Sequence, residues 1–80
     1  MSDAKKPGRL DLPTWLTPEG EPVSCVEKVK VLNENLEELR ELAQEAFEDA
    51  LLMGCDEAQF REVLNRLAAS LVNPYGKDRR

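Results

Sequence analysis

The chain of 80 residues contains no histidine, and it has only four glycines and four aromatic residues. Without histidine it lacks the most frequent general acid or base, and a Ser-His-Asp triad is excluded. The glycines are scattered, so the sequence has no glycine-rich phosphate loop. A core with so few aromatic residues must be aliphatic, which favours helices over strands. The sequence therefore predicts an all-α protein that is not an enzyme and binds no cofactor.

Long apolar runs are also missing. No segment approaches the roughly 20 apolar residues of a membrane-spanning helix, and residues 1–9 lack the apolar region of a signal peptide. We therefore expect a cytoplasmic protein without a membrane partner. The net charge is −5: residues 25–73 carry −6 and residues 10–24 carry −3, against +2 in each of the segments 1–9 and 74–80. An acidic body argues against a nucleic-acid partner, because phosphates require a basic surface.

Cysteine is rare, and the two present, Cys25 and Cys55, lie at opposite ends of the long helix predicted below. A helix of that length separates them by roughly 45 Å, whereas a disulfide needs Cα atoms within about 7 Å. An intramolecular disulfide is therefore excluded, and two buried reduced thiols are expected. Two cysteines without histidine also argue against a metal site within one chain. A redox- or metal-responsive dimer that uses both cysteines is the alternative functional hypothesis.

The chain divides into four segments by composition. Residues 1–9 and 74–80 are polar and basic, and we expect both to be disordered tails. Residues 10–23 contain three prolines and cannot form a regular helix. This segment is nevertheless rich in apolar side chains, which are Leu10, Leu12, Trp15 and Leu16. We therefore expect it to be extended and to pack on the helical hairpin predicted for residues 24–73.

The first predicted helix spans residues 25–53. Ser24 followed by Glu27 has the spacing of a capping box, and no glycine or proline interrupts the chain before Gly54. Gly54 stands where a helix commonly ends with a left-handed residue.

The second predicted helix spans residues 57–72. Asp56 and Gln59 have the spacing of a second N-terminal cap, and Asn73-Pro74 stops the helix. The connection between the two helices is so short that they should fold back as an antiparallel helical hairpin.

Nine residues of the first helix recur at alternating spacings of four and three, which we call the seam. They are Cys25, Val29, Leu32, Leu36, Leu39, Ala43, Ala46, Ala50 and Met53. The shorter second helix should cover the seam from Ala43 to Met53 and leave Val29–Leu39 without a helix of its own. Three covers are open: the 10–23 segment, a second copy that forms a homodimeric four-helix bundle, or a different protein.

The sequence thus predicts a small protein–protein interaction module, such as an accessory subunit, an adaptor or an assembly chaperone. The residues expected to contact the partner are Trp15, Leu16, Val29, Leu32, Leu36 and Leu39. A row of glutamates lies on the opposite face, comprising Glu34, Glu37, Glu38, Glu41, Glu45 and Glu48. This row is interpreted as a solvated face, with docking of a basic partner as the second possibility.

Overall fold

The computed structural model describes residues 11–76, which contain two α-helices and no β-strand. Helix α1 spans Val26–Leu52 and helix α2 spans Glu57–Ala69, so the all-α class and the two helices are confirmed. The chain forms two compact units, one ending at Gln44 and the other beginning at Glu45. Helix α1 contributes to both units. The predictions for residues 1–9, for Leu10 and for residues 77–80 lie outside the described part.

The segment before α1 contains a tight turn. The Thr17 amide donates to the Glu21 carbonyl at 2.7 Å, and the Gly20 amide donates to the Thr17 carbonyl at 2.9 Å. The Val23 amide closes the turn by donating to the Trp15 carbonyl at 2.8 Å. Gly20 has a φ of +89°, which places a glycine in the left-handed region, as in bulged hairpin loops. The prolines exclude a helix here, as expected, and the segment bends back on itself instead.

Helix α1 begins one residue later than predicted. Val26 is its first residue, so Cys25 rather than Ser24 occupies the N-cap position. The Cys25 carbonyl accepts the first helical hydrogen bond, from the Val29 amide at 3.0 Å.

The connection between the helices follows the sequence prediction. The Cys55 amide donates to the Ala50 carbonyl at 2.9 Å, and Gly54 has a φ of +94°. These features form a glycine C-cap that ends α1. Asp56 is the N-cap of α2, and its carboxylate accepts the Gln59 amide at 2.8 Å. The Gly54 C-cap and the Asp56 N-cap are both confirmed. Each depends only on neighbouring residues, which is why the sequence predicts it.

Helix α2 ends at Ala69, three residues before the predicted end at 72. The Ser70 hydroxyl donates to the Leu67 carbonyl at 2.6 Å, which satisfies a carbonyl at the end of the helix. Farther on, the Asn73 side chain accepts the Tyr75 amide at 2.8 Å in a turn that reaches Gly76. Hydrogen bonds of the Ser70 and Asn73 side chains thus replace the last predicted turn of the helix. The turn that reaches Gly76 includes the first residues of the predicted basic tail 74–80.

The C-terminal unit is a helical hairpin with a small apolar centre. The rings of Phe47 and Phe60 have centroids 5.5 Å apart, and the Arg61 guanidinium lies 4.9 Å from the centroid of Phe47. Ala50 is 8% exposed and Leu64 is half-buried. Helix α2 therefore packs on the last turns of α1 through an aromatic pair and an alanine.

The predicted seam is only partly covered, which corrects the interpretation of its C-terminal half. In that half Met53 is 80% exposed and Ala46 is exposed, and in the other half Cys25 and Leu39 are exposed as well. A seam with a strict seven-residue repeat drifts around a straight α-helix by about 20° per heptad, or about 80° over this length. Its members therefore rotate off the covered side, whereas Phe47, which is not a member of the seam, lies on it.

Candidate functional site

One side of α1 in the N-terminal unit carries apolar side chains that face solvent. We call the residues Val31, Asn35, Leu39 and Leu42 the exposed stripe. Their spacings of four, four and three place them on one helix face. Leu39 is 63% exposed and Leu42 is 66% exposed. Together with Glu38, the last three residues line an open depression of about 420 Å³. The exposed stripe is thus a shallow apolar surface with one amide in it.

The neighbouring side of the same helix has a different environment. Val29, Leu32 and Leu36, which we call the covered face, are half-buried. Beside them, the Trp15 indole Nε1 donates to the Asn33 Oδ1 at 2.7 Å. This hydrogen bond connects the segment before α1 to the helix and occupies the single donor of the indole. That residues 10–23 as a whole cover Val29–Leu39 stays a prediction.

The exposed stripe is bordered by acidic side chains on the side away from the covered face. By helical spacing this acidic rim consists of Glu27, Glu34, Glu38 and Glu41. Glu34 forms an ion pair with Lys30 at 3.0 Å. Within residues 11–76, Glu38 has no ion pair, although it lies in the depression itself. Lys28 adds one positive charge two turns before Asn35 on the same helix face. Because the four residues of the acidic rim outnumber it, the border of the stripe is mainly negative.

The residues predicted to contact a partner fall into two groups. Leu16 and Leu39 are exposed, at 58% and 63%. Trp15, Val29, Leu32 and Leu36 are half-buried within their own unit. Val31 and Leu42 are not members of the predicted seam. Counting 100° per residue from Leu39 places these two residues and Asn35 within an arc of about 80° that leaves out Val29 and Leu36.

The two cysteines are free and exposed, so the expectation of buried thiols was wrong. Cys25 precedes the first turn of α1 and Cys55 lies in the connection between the helices, where little chain surrounds either thiol. Residues 11–76 contain no group of three or more His, Cys, Asp or Glu residues arranged to hold a metal ion. The alternative hypothesis of a redox- or metal-responsive dimer stays a prediction.

Comparison of the chain with models of known families, with curated proteins and with solved structures finds no significant match. Neither helix in the described part of the chain is long and apolar enough to cross a membrane.

Proposed function

We propose that this chain is a small non-catalytic interaction module that binds another protein through the exposed stripe of α1. In this role it serves as an accessory subunit, an adaptor or an assembly chaperone. The partner contributes the surface that completes a helical bundle around α1. The proposal is non-catalytic because the sequence lacks histidine and offers no nucleophile with a base.

The imbalance between buried and exposed apolar side chains carries the proposal. Within residues 11–76, Ala50 is the single buried hydrophobic residue, whereas fourteen large hydrophobic residues are exposed. Scattered exposed leucines are ordinary on a protein surface. Leu39 and Leu42 differ because they adjoin each other on a regular helix and line a common depression. Contiguous apolar surface of this kind marks sites of protein contact.

The energies involved are large for so small a chain. Complete burial of a leucine stabilises a complex or a fold by about 1.5–3 kcal/mol. Covering Leu39 and Leu42 therefore offers a few kcal/mol, which is a substantial fraction of the roughly 5–15 kcal/mol that stabilises a typical domain. A partner that covers both leucines gains affinity from this burial.

Site-specific photo-cross-linking in the cells that naturally make the protein tests the proposal. A photoreactive amino acid replaces Leu39 or Leu42 in the exposed stripe, and Glu37 or Lys30 serves as a control position outside both the stripe and the acidic rim. We expect one cross-linked protein from positions 39 and 42 and little product from the controls. The cross-linked protein is then purified, and its affinity for the intact chain is measured by calorimetry.

The affinity measurement has a matched pair of variants. Leu39→Gln should weaken binding roughly tenfold through lost apolar contact. Leu52→Gln changes a leucine of the same helix that is 87% exposed and lies off the stripe, and it should leave the affinity unchanged. Equal cross-linking at all four positions, or equal effects of the two variants, would contradict the proposal.

A further inference from the structure

We infer that the segment seated on the exposed stripe is an amphipathic helix whose apolar side is flanked by lysine or arginine. The inference rests on the proposed function and adds the chemistry of the partner to it. Its basis is the combination of an apolar depression with a border that is negative on one side.

The shape of the exposed stripe favours a helix as the partner segment. Asn35, Leu39 and Leu42 are separated by about one turn each, so their side chains form a ridge along α1. Ridges of this spacing pack into the grooves between the side chains of a second helix. An open depression along one helix, with a volume of about 420 Å³, suits apolar side chains that a partner presents at the same helical spacing.

The negative charge of the acidic rim favours a basic partner. Glu38 lies in the depression and has no ion pair within residues 11–76. Glu27 and Glu41 continue the acidic rim along the same edge of the helix. A partner helix with lysine or arginine beside its apolar side brings opposite charges to this edge, whereas an acidic flank brings like charges.

A second copy of the chain fits the surface less well. In an antiparallel pair of α1 helices related by two-fold symmetry, each acidic rim lies alongside the same rim of the other copy. The helical block 25–73 carries a net charge of −6, so the approach of two copies is also opposed at longer range. Both effects disfavour self-pairing through this face and favour a partner of opposite charge.

Asn35 has a defined place in this arrangement. Its amide is the polar group within the apolar depression. A partner helix must place a hydrogen-bonding group opposite this amide or leave it unpaired when the surface closes. A single buried asparagine fixes the register of paired helices in this way. The partner is therefore expected to carry a polar residue between its apolar positions.

Two synthetic helical peptides test the inference on the full-length chain. Both present leucines at the spacing of the exposed stripe, and one is flanked by lysines and the other by glutamates. We expect calorimetry to show binding of the lysine-flanked peptide at least roughly tenfold tighter than that of the glutamate-flanked peptide at low salt. NMR should place the bound peptide at Val31, Leu39 and Leu42.

Charge variants separate a local effect of the rim from the net charge of the chain. Glu38→Lys should weaken the lysine-flanked peptide by about threefold or more and strengthen the glutamate-flanked one. Glu37→Lys makes the same change in net charge outside the stripe and should have the smaller effect. Equal effects of the two variants, equal binding of the two peptides, or no binding of either would overturn the inference.

Light scattering and cross-linking distinguish the remaining occupants. A dimer of the free chain that dissociates in Leu39→Gln would identify a second copy and overturn the inference. A cross-linked partner that contacts position 39 through an acidic or non-helical segment would also overturn it while leaving the proposed function in place. Absence of any stripe-specific cross-link would contradict the proposed function itself.

Discussion

Two faces of α1 in the N-terminal unit carry similar aliphatic side chains in different environments. The covered face, Val29, Leu32 and Leu36, is half-buried, and the Trp15–Asn33 hydrogen bond lies beside it. On the exposed stripe, Leu39 and Leu42 face solvent, with the acidic rim along one edge. The number of leucines therefore does not show which of the two faces is buried. The comparison teaches that a helix of this length has room for one face that serves the fold and another that is available for contact.

The largest expected effect comes from a charge on the covered face. Leu36→Glu places a carboxylate among half-buried apolar side chains, which removes apolar burial and desolvates a charge. We expect the free energy of unfolding to fall by about 2 kcal/mol. Urea denaturation followed by circular dichroism measures the change. Unaltered stability would mean that Leu36 is not covered in solution, and the contrast between the faces would be lost.

The turn before α1 is expected to show the next largest effect. Gly20→Ala introduces a Cβ at a φ of +89°, with no heavy atom within 4 Å of the new group. The cost is therefore conformational rather than steric and should be about 1–2 kcal/mol. Trp15 is the single tryptophan of the chain, so its fluorescence during urea denaturation reports on this segment. A variant in which this transition is unchanged would show that the turn does not support the contact at Trp15.

The hydrogen bond between Trp15 and Asn33 should have a somewhat smaller effect. Asn33→Ala removes the acceptor of the indole N–H, which is half-buried, and should cost about 1 kcal/mol. The NMR signal of the indole N–H should shift upfield and exchange faster with solvent. An indole signal identical to that of the parent chain would show that the 2.7 Å hydrogen bond is not formed in solution.

The smallest effect on stability should come from the exposed stripe. Leu39→Glu puts a charge where the side chain already contacts water, so the unfolding free energy should change by less than about 0.5 kcal/mol. The same urea experiment provides the comparison with Leu36→Glu, since both variants exchange leucine for glutamate on one helix. A loss as large as that of Leu36→Glu would mean that the two faces are equally buried.

The features that sequence predicted best are those that depend on a few adjacent residues. The Asp56 cap and the left-handed Gly54 follow from local hydrogen bonding and backbone conformation. The end of α2 was placed too late because Ser70 uses its hydroxyl to satisfy a helical carbonyl. That competition between side chain and backbone has a weak signal in sequence, since serine also occurs within helices.

The candidate site was harder to predict because it depends on the exact helical period. Alternating spacings of four and three average 3.5 residues per turn, and the small difference from 3.6 accumulates along α1. Leu39 was grouped with Leu36 because both are members of the seam, although the two face different environments. The role of Trp15 also depended on Asn33, which is 18 residues away and has no sequence signal that marks it as an acceptor.

The central claim is that the isolated chain leaves the exposed stripe bare while its neighbouring face is covered. Paramagnetic relaxation of leucine methyl groups by a neutral soluble probe measures this directly at low and high protein concentration. The account predicts strong relaxation at Leu39 and Leu42 and weak relaxation at Leu32 and Leu36, independent of concentration. Protection of Leu39 and Leu42 in the free chain would contradict it, since another segment or a second copy would then already cover the stripe.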